Sequence, residues 1–378
     1  MRYFCRKCHE FTERDQDKCC TNCGASLVDA PMAPGTDIGG FEIITEIGRG
    51  ANGVVYLAKQ LTLERDVALK VLPEQRANDP EFVKNFLKEA RAAAKLNHPN
   101  IVQAYDAGVS SLGTYFFAME YISGRTLDEN LKENGPLKVA QAINIALKVA
   151  EALDYAWEKQ RLFHGDIKPD NIIMRNDGDV KLADLGLAAT IFEEKSEEVM
   201  ATPMYAPPEV IRGEHDKFGC KTDMYSFGAS LYELFSGEPP HNEYDCGKVL
   251  EMHLHEAHMP LKEKLTGFPQ NASDLVDSLL AKNPDERPDS WKEVIEQLQE
   301  IQEAGAEKSK SGHNNFKKII FFILPALIIL SGIVFYYLKE SKKNDVPAII
   351  TATLDEELHG QKSTGSPKSK IFDVNKTA

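Results

Sequence analysis

Residues that suit phosphoryl transfer stand close together in two short segments near the middle of the chain. His164 to Asn171 reads His-Gly-Asp-Ile-Lys-Pro-Asp-Asn, and Asp184-Leu185-Gly186 follows it. An aspartate can accept the proton of a hydroxyl group, while an amide and a second carboxylate can hold Mg²⁺ against phosphate oxygens. A lysine beside them offsets the negative charge that develops during transfer. These residue types favour moving a phosphoryl group between oxygens over hydrolysing an acyl bond.

This pattern resembles the eukaryotic-like Ser/Thr protein kinase superfamily, whose catalytic loop reads His-Arg-Asp-x-Lys-x-x-x-Asn and whose metal loop reads Asp-Phe-Gly. The resemblance runs from about Phe41 to about Leu298. It implies an α+β, bilobal fold with a β-rich N-lobe and a helical C-lobe. It also implies Asp166 as proton acceptor and Lys168 as the charge partner of the γ-phosphate. Mg²⁺ or Mn²⁺ would then be held by Asn171 and Asp184.

The resemblance also bears on the substrate. The lysine and proline that follow Asp166 are typical of Ser/Thr kinases, so transfer to serine or threonine is expected. Thr202 aligns with a threonine that helps to position the substrate and the catalytic aspartate. In the family, the segment from Thr202 to Glu209 receives peptides, which disfavours a small-molecule phosphotransferase of the same fold. Protein substrates, including the chain itself, are therefore expected; the alternative is a pseudokinase scaffold that binds nucleotide or partners without catalysis.

Three positions depart from the family pattern. Gly165 stands where many members have an arginine that binds a phosphorylated activation loop, so activity without loop phosphorylation is a hypothesis. Leu185 replaces a phenylalanine, an apolar exchange that should leave the neighbouring aspartate able to bind metal. Pro207 replaces the alanine of Ala-Pro-Glu, and Glu209 is still expected to pair with Arg287.

Upstream, two predicted strands flank a glycine-rich turn that could close over ATP. Gly48, Gly50 and Gly53 have G-x-G-x-x-G spacing, a weak signal alone, but a strand continues after them where a dinucleotide fold would start a helix. Glycine lets the backbone approach phosphates closely. By resemblance, Val55 and Ala68 would cover the adenine ring. The other expected ATP-site residues are Ile47, Lys70, Glu89, Glu120 and Ile122.

Four of these residues have an expected partner. Lys70 would pair with the α- and β-phosphates and with Glu89, which lies in a predicted helix over residues 81–96. The backbone of Glu120 and Ile122 would bind the edge of the adenine.

Cysteines cluster at the N-terminus. Five of the seven lie in the first 23 residues, and Cys5-x-x-Cys8 with Cys20-x-x-Cys23 has the form of two knuckles around one tetrahedral Zn²⁺. This resembles a short zinc ribbon whose structural metal supplies the folding energy. Cys19 beside Cys20 leaves the choice of fourth ligand open, and unliganded or redox-active thiols are the alternative.

A second segment predicts a membrane anchor. Residues 319–338 contain no charged side chain and would span about 30 Å as a helix, enough for the hydrocarbon core. Flanking lysines do not decide its orientation. ATP and reduced thiolates belong in the cytosol, so the kinase is expected on the cytoplasmic side. The layout resembles bacterial membrane-anchored Ser/Thr kinases, with a tail-anchored organelle protein as the alternative.

Composition agrees with this organisation. The chain has 378 residues, enough for two or three domains, and its net charge of −14 argues against nucleic acid as a partner. The predicted segments are a zinc ribbon 1–26, a linker 27–40, a protein kinase domain 41–301, a juxtamembrane linker 302–318, a transmembrane helix 319–338 and a disordered tail 339–378.

Overall fold

The computed structural model describes most of the chain up to residue 307. The described residues are 2–5, 8, 10–13, 20–23, 25, 32–50, 53–185, 202–307 and 330–335; six of them are described for their backbone alone, namely Arg2, Phe4, Phe11, Glu13, Gln75 and Glu89. The chain divides into two compact units, residues 1–307 and 308–378.

The first unit begins with a small antiparallel hairpin. Its strands are β1 (Arg2–Phe4) and β2 (Phe11–Glu13), and Tyr3 pairs with Thr12. Tyr3 also forms an isolated bridge with Met32, whose backbone N–H donates to the Tyr56 hydroxyl at 3.2 Å. The hairpin is therefore connected to the sheet that follows.

A five-stranded antiparallel sheet forms the N-lobe, in the order β3-β4-β5-β7-β6. Two helices follow its third strand. The elements are β3 (Phe41–Gly50), β4 (Gly53–Gln60), β5 (Arg65–Val71), α1 (Glu74–Ala77), α2 (Pro80–Ala93), β6 (Ala104–Val109) and β7 (Tyr115–Glu120).

Alternation along β5 gives the sheet two apolar faces. Val67 and Leu69 join one buried cluster, whereas Ala68 joins a second cluster that also contains Phe86 and Ala90 of α2. Successive strand side chains point to opposite faces, so β-branched and aliphatic residues in a row can fill both. Helix α2 therefore packs on the face that also carries Ala68.

The C-lobe is mainly helical and contains one small sheet, in the order β10-β9-β8. Its elements are β8 (Gly124–Thr126), α3 (Leu127–Asn134), α4 (Val139–Gln160), β9 (Ile172–Arg175), β10 (Val180–Leu182), α5 (Pro208–Ile211), α6 (Cys220–Ser236), α7 (Cys246–His255), α8 (Leu261–Lys264), α9 (Gln270–Leu279) and α10 (291–307). Single 3₁₀ turns cover Pro169–Asn171, Pro203–Tyr205, His215–Lys217 and Pro284–Glu286.

Helix α6 is the centre of this lobe. A Cβ atom added to Gly228 would lie 2.7 Å from the Leu279 Cβ, so glycine lets α6 and α9 approach closely. Phe227 packs edge-on against Trp291, with ring centroids 5.4 Å apart. The predicted α+β, bilobal architecture with a β-rich N-lobe and a helical C-lobe is confirmed.

Only part of the second unit is described. Residues 330–335 are helical, whereas the rest of the predicted span 319–338, the end of the predicted juxtamembrane linker and the predicted tail lie outside the described residues. Among the helices that the structure describes, none combines the length and the apolar character needed to cross a bilayer.

Candidate active site

An apolar cluster lies where the N-lobe sheet meets the small sheet of the C-lobe. It brings together the two predicted adenine-covering residues, Val55 and Ala68, with Ile122 of the segment that joins β7 to β8. We call that segment, residues 121–123, the hinge. The same cluster contains Ile173 of β9, which was not predicted. The sequence feature that could have indicated this residue is its position in a short strand directly after the catalytic loop.

The glycine-rich turn joins β3 to β4, and its tip at residues 51 and 52 lies outside the described residues. Gly48 pairs with Val55, and Gly50 pairs with Gly53. Gly53 has φ +149°, and an added Cβ would lie 2.8 Å from the Val71 carbonyl oxygen. Glycine is therefore required at this position by both backbone conformation and space. Ile47 is 46% exposed. This exposure is compatible with contact to a ligand from the edge of the turn.

Lys70 reaches the metal loop directly. Its Nζ lies 3.2 Å from Asp184 Oδ1, and the lysine is almost fully buried. The charge of Lys70 is the main cause that lowers the pKa of Asp184, so this carboxylate remains ionised and suits a hard divalent cation. The predicted partner Glu89 lies on α2, and its side chain is outside the described set.

The second predicted metal ligand lies beside the first. The Ala183 N–H donates to the Asn171 carbonyl oxygen at 2.8 Å, which places Asn171 next to the residue that precedes Asp184. The Asn171 amide nitrogen donates to Asp166, so its amide oxygen is the atom left to bind a cation. The pair therefore fits Mg²⁺ or Mn²⁺, because amide and carboxylate oxygens are the ligands these ions prefer.

Asp166 is held from several sides. Thr202 Oγ1 donates to its Oδ1 at 2.8 Å, and Lys168 Nζ donates to its Oδ2 at 2.7 Å. Asn171 Nδ2 donates to Oδ2 at 3.2 Å. A carboxylate has about four acceptor positions, so the three donors leave room for one further hydroxyl. The predicted contact between Thr202 and the catalytic aspartate is thus present.

The backbone of the catalytic loop is fixed by Asp223 of α6. Its carboxylate accepts from the N–H groups of His164 at 2.6 Å and Gly165 at 2.8 Å. Burial raises the pKa of Asp223 to about 6, while these two N–H groups act in the opposite direction. Gly165 has φ +77°, a conformation that glycine adopts without strain.

His164 connects the two loops. Its Nδ1 accepts from the Asp166 N–H at 3.3 Å, and its Nε2 lies 2.8 Å from the Ala183 carbonyl oxygen. If Nδ1 accepts, the neutral ring carries its proton on Nε2 and donates to that carbonyl. The ring therefore holds the catalytic loop against the residue that precedes Asp184.

The segment after Thr202 is anchored by a buried ion pair. Glu209 accepts two hydrogen bonds from Arg287, at 2.7 and 2.8 Å, and both side chains are fully buried. The pairing predicted from sequence is confirmed. Leu185, the other departure from the family pattern, is buried in the same cluster as Leu96 and Leu162. The smaller apolar side chain is therefore accommodated.

One sequence-based interpretation was wrong. The sequence predicts that the histidines at 253, 255 and 258 lie on a solvent-exposed helix, but His253 is fully buried. Its Nδ1 lies 2.8 Å from the Tyr225 hydroxyl, and burial lowers its pKa to about 3. Helix α7 packs against the 3₁₀ turn Pro203–Tyr205, so one face of the helix is covered.

The four predicted zinc ligands are brought together. The Sγ atoms of Cys5, Cys8, Cys20 and Cys23 all lie within 4.8 Å of one another. Cys5 and Cys23 are separated by 3.6 Å, and Cys8 and Cys20 by 3.8 Å. Tetrahedral coordination at a Zn–S distance of about 2.3 Å requires sulfur separations of about 3.8 Å. The set fits one Zn²⁺; Cys19, the alternative ligand, lies outside the described residues.

Comparisons with known proteins agree with this geometry. The family model described as protein kinase domain matches residues 41–299. The serine/threonine-protein kinase PrkC of Bacillus subtilis is 34% identical over 249 residues, which is 65% of this chain and 38% of PrkC. PknB of Mycobacterium leprae is 36% identical over 254 residues, which is 65% of this chain and 40% of PknB. The chain thus spans less than half the length of these curated relatives.

A comparison with solved structures also finds a protein kinase domain. The PknI kinase domain of Mycobacterium tuberculosis superimposes with a TM-score of 0.57 at 27% sequence identity. The match covers 71% of this chain and 98% of that chain.

Proposed function

We propose that this chain, which belongs to the protein kinase family, transfers the γ-phosphoryl group of ATP to serine and threonine hydroxyls of proteins, including its own. The observation that carries the proposal is the carboxylate of Asp166, held between Lys168 and Thr202 with one acceptor position left for a hydroxyl. The relatives' printed names support the choice of serine and threonine.

The roles follow from the chemistry of each group. Asp166 orients the substrate hydroxyl and accepts its proton, while Lys168 offsets the charge on the phosphoryl oxygens. Lys70 holds the α- and β-phosphates. Asn171 and Asp184 would hold Mg²⁺ or Mn²⁺, which supplies positive charge to the phosphates when bound.

The remaining predicted residues bind ATP. The glycine-rich turn covers the phosphates, and the apolar cluster receives the adenine ring between the lobes. The backbone of Glu120 and that of Ile122 in the hinge bind the edge of the ring. Glu89 is proposed to orient Lys70. The number of predicted catalytic and ATP-binding residues, and the consistency of their roles, favour catalysis over a pseudokinase scaffold.

Transfer of labelled γ-phosphate by the full chain tests this function. Asp166→Asn should lower incorporation by about 10²- to 10⁴-fold, because the hydroxyl loses its proton acceptor. Asp216→Asn, on an exposed turn, is the matched control and should retain wild-type activity. A wild-type chain that binds Mg-ATP but incorporates no label would favour the scaffold.

We further propose that the four cysteines hold one structural Zn²⁺ in a zinc ribbon. The sulfur separations support it. Metal analysis of reduced protein should give one zinc per chain, and Cys8→Ser with Cys23→Ser should abolish it. Stoichiometry near zero would refute the site.

We also propose that residues 319–338 anchor the chain in a membrane with the kinase on the cytoplasmic side. The support is the length of the charge-free run. Placing lysines at Leu327 and Ile328 should release the chain from alkali-washed membranes, since each costs about 3 kcal/mol at the centre of a span. Lysines at Ser363 and Thr364 are the matched control; equal retention of both variants would contradict the anchor.

A further inference from the structure

The side chain of Glu120 forms a charged network beside the hinge. Its Oε2 accepts from Lys181 Nζ at 2.6 Å, and its Oε1 accepts from Arg175 Nη2 at 2.7 Å. Sequence reasoning assigned a role to the backbone of this residue alone. The carboxylate thus neutralises two cations at once, one through each oxygen.

The Glu120–Lys181 pair is largely shielded from water, whereas the Arg175 side chain is 35% exposed. The side chain of Lys181 is 10% exposed and that of Glu120 is 17% exposed. Lys181 Nζ also donates to the Ile101 carbonyl oxygen at 3.3 Å. Charge pairs of this burial are screened weakly, and removing one partner leaves an uncompensated charge.

Both cations belong to the β9–β10 hairpin, which leads into the metal loop. Arg175 ends β9, and Lys181 lies in β10 three residues before Asp184. Strand β10 is also bonded to the N-lobe, because Leu182 accepts from the Val102 N–H at 2.9 Å and donates to Asn100 at 2.8 Å. The hairpin is therefore hydrogen-bonded to both lobes.

The other end of the hinge is attached to the same hairpin. Strand β8 follows the hinge directly, and Gly124 pairs with Arg175. A Cβ atom added to Gly124 would overlap the Met174 carbonyl oxygen, so the approach is close enough to require glycine. The hinge is thus attached to the β9–β10 hairpin at both ends. Glu120, which precedes the hinge, binds the hairpin through its side chain, and β8, which follows the hinge, pairs with β9.

We infer that the Glu120 carboxylate, with Lys181 and Arg175, is a positioning network that fixes the adenine-binding hinge relative to Asp184. ATP must contact the hinge and the metal loop at the same time, and displacements below about 1 Å at such contacts weaken binding. This inference rests on the ATP binding proposed above. Glu120 acts through the backbone of the hinge and is not itself a catalytic residue.

Nucleotide affinity of the full chain tests the network. Glu120→Gln should raise the Kd of a non-hydrolysable ATP analogue and the KM for ATP by roughly fivefold, with kcat changed less than twofold, because ground-state and transition-state binding are lost together. Glu238→Gln removes a carboxylate that pairs with Lys264 at 3.0 Å on the C-lobe surface, and it should change neither constant.

Two further variants separate positioning from general stability. Lys181→Arg keeps the charge and should restore most of the affinity that Lys181→Met loses, at matched melting temperatures. If Glu120→Gln fails to fold, Arg175→Lys provides the measurement, with an expected rise in Kd of roughly twofold. Unchanged Kd values in folded variants would overturn the inference. A wild-type chain that does not bind the analogue would instead overturn the proposed function.

Discussion

The catalytic loop and the cysteine cluster are both held at a few points, but by different means. The catalytic loop rests on the buried carboxylate of Asp223 above a C-lobe core of several dozen apolar residues. Among the described residues of the cysteine segment, residues 2–25, the buried side chains are Tyr3, Cys5, Thr12 and Cys20. One site is positioned by the fold around it, whereas the other, on the zinc ribbon proposed above, would depend on a metal for its fold.

This difference separates the two sites energetically. A domain that buries enough apolar surface tolerates the strain and buried charge of an active site. A segment of some 25 residues falls below the size that folds without a metal or disulfides. The cysteine segment should therefore respond to metal alone, and the C-lobe should respond to changes in packing and buried charge.

The largest expected effect is that of zinc removal. A chelator should unfold the N-terminal cysteine segment completely, since metal binding supplies about 10–16 kcal/mol in sites of this type. Hydrogen exchange should rise in residues 2–25 and remain unchanged in α4 and α6. Cys20→Ser should reproduce the effect without a chelator. Loss of protection in α6 as well would break the proposed separation of the two sites.

Residues that act through motif spacing could be predicted from sequence. Asp166, Asn171 and Asp184 are fixed by the loop sequence itself, and the buried partner of Glu209 follows from the same family pattern. Side chains that act through tertiary pairing could not be predicted. The partners of Glu120 lie 55 and 61 residues away along the chain, and no local pattern indicates them.

Burial of a polar side chain was equally hard to predict. His253 lies in a helix that was predicted from sequence to be solvent-exposed, because the spacing of its histidines does not fit a zinc-binding helix. One face of this helix is covered by the 3₁₀ turn Pro203–Tyr205, which precedes His253 by some fifty residues. The local periodicity of a helix sequence does not show whether an element from a distant part of the chain covers one face of the helix.

The second largest effect concerns the buried ion pair of the C-lobe. Glu209→Ala should lower the free energy of unfolding by about 3–5 kcal/mol, because Arg287 would be left buried without a counter-charge. Trp157 and Trp291 both lie in this lobe, so fluorescence during urea unfolding reports on it directly. The double variant Glu209→Gln, Arg287→Met should lose less than Glu209→Ala. Equal losses would show that the pair contributes through packing alone.

A smaller effect is expected at the glycine-rich turn, whose geometry depends on backbone conformation. Gly53→Ala should cost about 2 kcal/mol, because the added Cβ meets the Val71 carbonyl oxygen at a positive φ. Exchange in β4 should rise accordingly. Gly48→Ala is the matched control, since its added Cβ would lie 3.8 Å from Val55, in ordinary contact. Similar exchange in both variants would contradict the strain argument.

The smallest effect should appear as a pH dependence of C-lobe stability. Lys282 is partly buried among neutral groups, with its Nζ 3.3 Å from the Tyr225 hydroxyl, 3.5 Å from His241 Nε2 and 3.4 Å from the Met252 carbonyl oxygen. Burial, and then the nearby charge of Arg287, lowers the pKa of Lys282 to about 8. Its charged form is therefore disfavoured in the folded state.

The sign follows from proton binding. Between pH 8 and the unfolded pKa of about 10.4, the unfolded chain binds more protons at this lysine, so its contribution to stability rises with pH. Lys282→Met should be more stable than wild type by about 1 kcal/mol at pH 7, a figure reduced for partial exposure, and this advantage should vanish near pH 10. Tryptophan-detected urea unfolding at both pH values measures it, with the exposed Lys262→Met as control. An advantage that persists at pH 10 would show that packing, and not the cost of burying the charge, sets the stability at this position.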